Sequence, residues 1–523
     1  MPAADETRSR LDAVVLYGAL VITGAAIMVL EVVGTRIIGP FYGVGLVVWC
    51  SLISVTLTSL ALGYWLGGLI ADRSASSRLH QIVLLAAVLI ALISVARPAV
   101  LSMTSPLGLR GGALASAGIL FSGPLVLLAM AGPYVIRLRA SRLDLVGLTA
   151  GSAYAISTVG SIAGTLLSGL VLIPVVGTGN TLRGLSVGLL VLGGVLLLYE
   201  RRRPDDRRYR QAATALVLGM AAAGALTPRA AEPADPRFDV LHDSESFYGR
   251  IRVVDERQQG IRWLLSDFSA IGVVEVRGHG QFLPFLPFVY VLDTLPQFHP
   301  VRRALVIGVG AGLLPNRLSA QGIAVDVIEI DPEVRRMAET YFGFVPSGTV
   351  LIGDARYWIR KLERRYDLIV HDCFTGGELP SHLFSVEVIR ELESQLEKGG
   401  VFAMNVYGKP DGAAVTSIGA TLRSVFPFVA RIVPPMVGGP LLDNLFIASL
   451  RPLSAEGTGA LESRSSYVHW TANQLAAVAA TPPAAGGSLI TDDHNPLDLL
   501  RVPEVETYRK IAISRFGTSF LAR

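Results

Sequence analysis

The chain has 523 residues, 51% hydrophobic and 17% charged, with a formal net charge of +4. That length admits two or more folding units, and so small a charge excess gives no reason to expect a nucleic-acid partner. The only cysteines, Cys50 and Cys373, lie far apart, which excludes a disulfide framework and a Cys/His metal spacing.

The first 230 residues are oily. Charge-free runs cover 13–30, 37–71, 81–96 (continuing past Arg97 to 109), 111–136, 145–182 and 184–199. Each is near or above the roughly 20 residues that a helix needs to cross the hydrocarbon of a bilayer. Six transmembrane helices are therefore expected in a membrane domain at 1–230, with the lipid bilayer as a partner. The first run has no small-residue cleavage site before the next, so it reads as a retained helix rather than a signal peptide. A seventh run, 211–228, is mostly Ala, Gly and Thr, which gain little in lipid, and its insertion is marginal.

Arginines cluster in alternate connections: Arg8 and Arg10; Arg73 and Arg78; Arg137, Arg139 and Arg142; then the block from Arg201 to Arg210. The other loops hold only Arg36, Arg110 and Arg183. The positive-inside rule then places the N-terminus of a multi-pass cell-membrane protein in the cytoplasm. Glu31, at membrane depth, is a functional candidate by its cost, although pairing with Arg36 at a helix end explains it as well. The glycines of Gly63–Arg73 and Gly151–Gly164 favour close helix packing over transport.

A Pro/Ala-rich linker follows at 231–237. From 238 to 300, short β-rich runs at Ile251–Val254, Ile261–Asp267 and Ala270–Val276, separated by polar turns, predict a small antiparallel β-region. From 301 to 523 strands alternate with helices, which implies a Rossmann-like domain with a doubly wound, mostly parallel sheet.

The chemistry sits at the strand ends. Gly308, Gly310 and Gly312 follow the strand ALVI, where glycine lets the backbone turn sharply beside a ligand. The next strand ends at Glu329, placed to accept hydrogen bonds from a ribose diol. The third leads into Gly353, Asp354 and Ala355, and the fourth ends at Asp372. Ligands of open parallel sheets bind at these carboxyl ends. A dinucleotide site spaces its third glycine one position later, so an adenosylmethionine-type ligand is favoured over NAD. A helix N-cap is the alternative reading of a strand-end Asp.

These features resemble the polyamine aminopropyltransferases, the spermidine synthase family. Met28–Gly43 (MVLEVVGTRIIGPFYG), Gly63–Arg73 (GYWLGGLIADR) and Thr491–Asp498 (TDDHNPLD) are similar to segments of membrane-fused bacterial members. The resemblance implies a class I adenosylmethionine-type fold, Glu329 on the ribose, Asp354 and Ala355 on the adenine, and Asp372 as catalytic residue. Leu383 and Phe384 match the Leu-Phe after the active-site loop. It further implies transfer of an aminopropyl group from decarboxylated S-adenosylmethionine, a co-substrate, to putrescine or a similar amine, with no prosthetic group and no metal. Tyr248 and Thr375 fall at substrate-binding positions.

The chain departs from the family pattern mainly on the amine side. Ala311 stands where the glycine loop carries an Asp that holds the donor's amine, and Thr375 stands where a second Asp binds the diamine. Gly376 replaces a Pro, Gly249 replaces a Gln after Tyr248, and FLPFVYVLD (Phe285–Asp293) replaces a Tyr-His-Glu stretch. Two further readings therefore stand beside aminopropyl transfer. One is a membrane-anchored S-adenosylmethionine-dependent methyltransferase, since Ala311 carries no charge to repel the carboxylate of the full donor. The other is a non-enzymatic transporter or sensor that responds to a polyamine or nucleoside. A donor made in the cytosol favours run 211–228 lying along the interface, which leaves the catalytic domain cytoplasmic. The sequence leaves homo-oligomerisation open.

Overall fold

The computed structural model describes residues 2–73, 78–140, 146–200, 235–277, 281–374, 377–434, 439–452 and 486–522. Run 211–228, most of the expected linker at 231–237, and Thr375 lie outside the described residues. The chain divides into two compact units, Met1–Pro233 with Thr518–Arg523, and Ala234–Gly517.

The first unit is helical: α1 (Pro2–Tyr42), α2 (Leu46–Arg73), α3 (Leu79–Thr104), α4 (Gly108–Ala129), α5 (Ala131–Arg139), α6 (Val146–Leu167) and α7 (Thr178–Glu200). A π-helical stretch, Ser168–Val176, extends α6. By length and composition, five stretches among the described residues are apolar enough to cross a membrane, of which Leu79–Arg139 is 61 residues long. That stretch is too long for one crossing, since a helix rises 1.5 Å per residue. It folds back at a 3₁₀ turn, Ser105–Leu107, where Gly108 takes φ 74°, and α3 packs against α4. Among the described residues this stretch is therefore two packed helical segments, not one.

Small residues set the closest helix approaches. A Cβ on Gly160 or Gly164 of α6 would stand 2.2 Å from the Val21 carbonyl or 2.5 Å from the Ala25 carbonyl of α1. Gly63 and Gly67 of α2 press in the same way on Val126 and Met130, whereas Gly151 and Gly68 face open space. Glycine here permits backbone contact, the usual role of small residues between apolar helices. Glu31 of α1 lies beside Thr56 of α2.

The second unit begins with an antiparallel meander, β1 (Phe238–Glu245), β2 (Arg250–Glu256), β3 (Ile261–Ser266), β4 (Ser269–Arg277) and β5 (Gln281–Pro284). After α8 (Pro287–Leu292) come β6 (Arg303–Ile307), α9 (Leu313–Ser319), β7 (Ala324–Glu329), α10 (Pro332–Tyr341), β8 (Val350–Ile352), α11 (Ala355–Ile359) and β9 (Tyr366–His371). Next follow α12 (Val386–Ser394), β10 (Leu396–Gly408), α13 (Ala413–Arg423), β11 (Phe428–Ile432), β12 (Leu442–Ser449) and α14 (Leu497–Phe516). The seven-stranded sheet runs β11-β12-β10-β9-β6-β7-β8, parallel from β8 to β10, with β12 antiparallel to β10.

The middles of the central strands are mostly apolar because both faces are covered. Leu305, Ile307 and Ile369 enter one core with Phe402 and Met404, while Ala304, Val306 and Val370 enter the opposite core with Val401 and Ala403. The meander buries Ile251, Val253, Leu264 and Val274 against Ala311, Val334 and Met337, which brings β4 over the glycine turn after β6. The expected end of the second unit at 523 is corrected to Gly517. There φ of 83° ends α14, and α15 (Thr518–Ala522) is an apolar turn whose Phe520, Leu521 and Ala522 are buried with α1 and α3 of the first unit.

Candidate active site

The order of strands in the sheet reverses at β6. Chain growth goes from β6 to β7 and β8 on one side, then jumps to β9 on the other, and the crevice at this switch point is where open α/β sheets bind ligands. Gly308, Gly310 and Gly312 shape the crevice with φ of 94°, 52° and 73°, a region that side-chain-bearing residues avoid. A Cβ on Gly308 would stand 2.1 Å from the carbonyl oxygen of Asp372, and one on Gly310 would stand 2.4 Å from that of Ile271 on β4. The turn is thus pressed between the two sheets. Gly308 and Gly310 border the cavity; Gly312 caps α9 and packs against Phe344.

Glu329, at the end of β7, is 7% exposed. Its Oε2 accepts from Val309 N–H and its Oε1 from Asp331 N–H, both at 2.9 Å. Each oxygen keeps a second lone-pair direction for another donor. Burial pushes this carboxyl up to about 7, against the pull of those two backbone hydrogen bonds.

Asp354 fills the helix-cap role of a strand-end Asp and borders the cavity as well. Its Oδ1 caps α11 by accepting from Tyr357 N–H at 3.0 Å, while its Oδ2 accepts from His382 Nε2 at 2.8 Å. Partial burial opposes ionisation, but the His382 and backbone hydrogen bonds outweigh it and hold the carboxyl below its usual range. Ala355 opens α11 and is buried at the same wall.

One cavity of about 390 Å³ is bordered by Glu329, Asp354, Ala355, Asp372 and Tyr248 together with the two glycines, a volume in the range of small-molecule sites. Asp372 follows β9, and burial pushes it up to about 6 while a hydrogen bond from Asn405 opposes the shift. Asn405 Nδ2 donates to Asp372 Oδ1 at 3.1 Å and to Asp443 Oδ1 at 3.3 Å. Asp443, on the antiparallel β12, is pushed up to about 7, first by burial and then by the charge of Asp372.

Asn405, Asp443, Tyr407, Tyr508, Arg501 and His382 all border the cavity, and none was identified from sequence. Strands β10 and β12 carry no glycine signal at these residues, and α14 has no local motif. The helix nevertheless closes the site: Tyr508 OH accepts from Ala270 N–H at 2.9 Å, and Arg501 donates to the Tyr407 carbonyl at 2.9 Å. The TDDHNPLD segment braces the loops around Asp354. Asp492 pairs with Arg356 of α11 and accepts from Ser385, and Asn495 donates to the Ser381 carbonyl.

The departures from the family pattern have physical counterparts. Ala311 does not border the cavity; it is 4% exposed and packs on Gly272 of β4. At Gly249 a Cβ would stand 2.9 Å from the Asp267 carboxylate, leaving little space for a longer side chain. Phe285, Leu286 and Phe288, from the stretch that replaces Tyr-His-Glu, give the cavity an apolar wall.

Residues 293–434 match the family model described as Spermine/spermidine synthase domain. The N-terminal histidine N-methyltransferase of Emericella nidulans is 32% identical over 238 residues, 41% of this chain and 42% of that protein. The polyamine aminopropyltransferase of Vibrio vulnificus is 29% identical over 196 residues, covering 36% of this chain and 65% of that protein. Spermidine synthase from Thermotoga maritima aligns in structure with a TM-score of 0.38 at 18% identity, over 46% of this chain and 84% of that one. The chain thus spans 42% to 65% of the length of these two curated relatives. The likeness to the spermidine synthase family read from the motifs stands for this part of the chain.

Proposed function

We propose that the second unit is a polyamine aminopropyltransferase of the spermidine synthase type, moving an aminopropyl group from decarboxylated S-adenosylmethionine to putrescine or a similar amine. The observation that supports this reading best is the row of residues across the sheet. Neighbouring strands lie about 4.8 Å apart, so the order β8, β7, β6, β9, β10, β12 sets out Asp354, Glu329, Gly308, Asp372, Asn405 and Asp443 as a line. Acceptors for an adenosine lie on one side of the switch point and a carboxylate pair for an amine on the other, with Gly308 against Asp372 between them.

The amine nitrogen attacks the carbon beside the sulfonium. A C–N bond forms as the C–S bond breaks, the sulfur keeps the bonding pair and leaves as the thioether of methylthioadenosine, and Asp372 takes the N–H proton. A carboxylate on the nitrogen is needed because amines are protonated near neutral pH. Glu329 and Asp354 would hold the ribose and adenine, with Ala355 beside the base.

Methyl transfer from S-adenosylmethionine is the second reading, favoured by the uncharged glycine turn, where Ala311 packs into the core instead of facing the donor. The relative from Emericella nidulans, named as an N-methyltransferase, also acts on nitrogen by its name. Supplying the full-length protein with both donors and putrescine is expected to yield methylthioadenosine. Formation of S-adenosylhomocysteine alone would transfer the assignment to the methyltransferase, and absence of both products would reject both.

The first unit, in this reading, anchors the enzyme in the cell membrane, with the N-terminus and the second unit in the cytoplasm. A tag on Arg523 should resist externally added protease in intact cells and become sensitive after lysis. Cleavage in intact cells would place the catalytic unit outside.

A further inference from the structure

The end of β9 and strands β10 and β12 bring three hydrogen-bond acceptors, from Asp372, Asn405 and Asp443, together with the Asn405 amide donor. Asn405 is 1% exposed and Asp443 is 4% exposed, and both border the cavity beside Asp372. The two N–H bonds of the Asn405 amide go one to each carboxylate, at 3.1 and 3.3 Å. That uses every donor the amide has. Its Oδ1 is left buried with no hydrogen-bond partner. Turning the amide over would aim this oxygen at two carboxylates, so electrostatics fix the orientation. Each carboxylate also keeps unused lone-pair positions.

Buried acceptors without donors are costly, and those that border a cavity can be satisfied by a ligand that supplies the donors. The cation bordering this part of the cavity, Arg501, is already engaged by Glu504 at 3.1 Å and by the Tyr407 carbonyl. The rings of Tyr407 and Tyr508, 5.4 Å apart and edge to face, flank the pair. Arg515, which also borders the cavity, is held by Glu256 at 2.7 Å, so among the described residues neither arginine pairs with these acceptors, and an incoming positive charge carrying several N–H bonds would.

We propose that Asp443 and Asn405 Oδ1 recognise the acceptor, and that the site selects a primary ammonium, whose three N–H bonds match Asp372, Asp443 and Asn405 Oδ1. The inference rests on the amine-acceptor reading above and deepens it. Asp443 supplies from β12 the second carboxylate that is missing at Thr375. Secondary and tertiary ammonium groups carry the same charge but fewer N–H bonds, so selectivity comes from donor count, and Asp443 positions the acceptor without touching the sulfonium.

The test is calorimetric titration of the full-length protein, in detergent, with putrescine and with N,N,N′,N′-tetramethylputrescine, which keeps both charges and has a single N–H on each nitrogen. Wild type should bind putrescine at least about tenfold more tightly, the scale of a charge-assisted hydrogen bond. Asp443→Asn should weaken putrescine by about tenfold or more and reduce the preference, while decarboxylated S-adenosylmethionine binds unchanged and reports an intact fold. Equal binding of the two amines by wild type overturns the proposal. So does undiminished putrescine affinity in a variant that still binds donor, or no putrescine binding by a wild-type protein that binds donor. Should Asp443→Asn fail to fold, the methylated amine decides the question on wild type. Because binding is read instead of turnover, a protein that holds putrescine in this way yet forms no methylthioadenosine rejects the proposed reaction and leaves the recognition site standing.

Discussion

Asp372→Asn is expected to lower kcat at least about 100-fold, the contribution of a well-placed general base, while the affinity for decarboxylated S-adenosylmethionine stays within about twofold. The substitution keeps shape and a hydrogen bond to Asn405 but removes the only group proposed to take the amine proton. Wild-type activity should also fall as pH falls. Burial raises Asp372 to about 6, and Asp443, raised to about 7, is bridged to it through one amide. The carboxyls accept a proton only when ionised, so the rate is full above this range and is lost as pH drops through it. Two groups this close titrate as a pair, and the limb belongs to both. Asp443→Asn removes a like charge and should move the limb to lower pH. Turnover in Asp372→Asn above about a tenth of wild type, with the limb unmoved, would remove Asp372 from the mechanism.

The second large effect is structural. Gly308→Ala places a methyl 2.1 Å from the Asp372 carbonyl oxygen at a φ of 94°. A side chain in that backbone region costs about 1–3 kcal/mol by itself, and the overlap must be relieved by moving either the glycine turn or the end of β9. Both carry the site, so donor binding should be lost along with about 2–4 kcal/mol of stability. Gly322→Ala is the matched control. Its φ is 82°, but a Cβ there meets nothing within 4 Å, so only the backbone term applies. Urea unfolding of the full chain, read beside donor binding, separates the two. Equal destabilisation with donor binding kept in both variants would show that the contact with Asp372 does not matter.

The two variants illustrate what could be read from the chain and what could not. Gly308, Glu329, Asp354 and Asp372 announce themselves because each follows a short apolar strand, where few residue types satisfy a turn or a helix cap. Asp443 and Asn405 give no such sign. Both lie within strands whose buried neighbours are ordinary, and they meet only because β12 runs antiparallel to β10. Tyr508 and Arg501 lie more than 100 residues beyond Asp372 and reach the cavity because α14 folds back over β4. The glycines of α2 and α6 show the same division. Their spacing suggested packing, but only the structure separates Gly160, set against the Val21 backbone, from Gly151, which faces open space.

The sequence by itself determined the division into an oily helical part and an α/β part, the alternation of strands and helices, and the glycine and acidic strand ends that border the cavity. All of these depend on local periodicity and local backbone geometry, which neighbouring residues set. The tertiary structure decided the other side of the cavity: the Asp372–Asn405–Asp443 bridge, the helix closing it, and the burial of Ala311 against Gly272. These are contacts between residues distant in sequence, with geometry and raised carboxyl pKa values that exist only once the sheets have packed and water has been excluded.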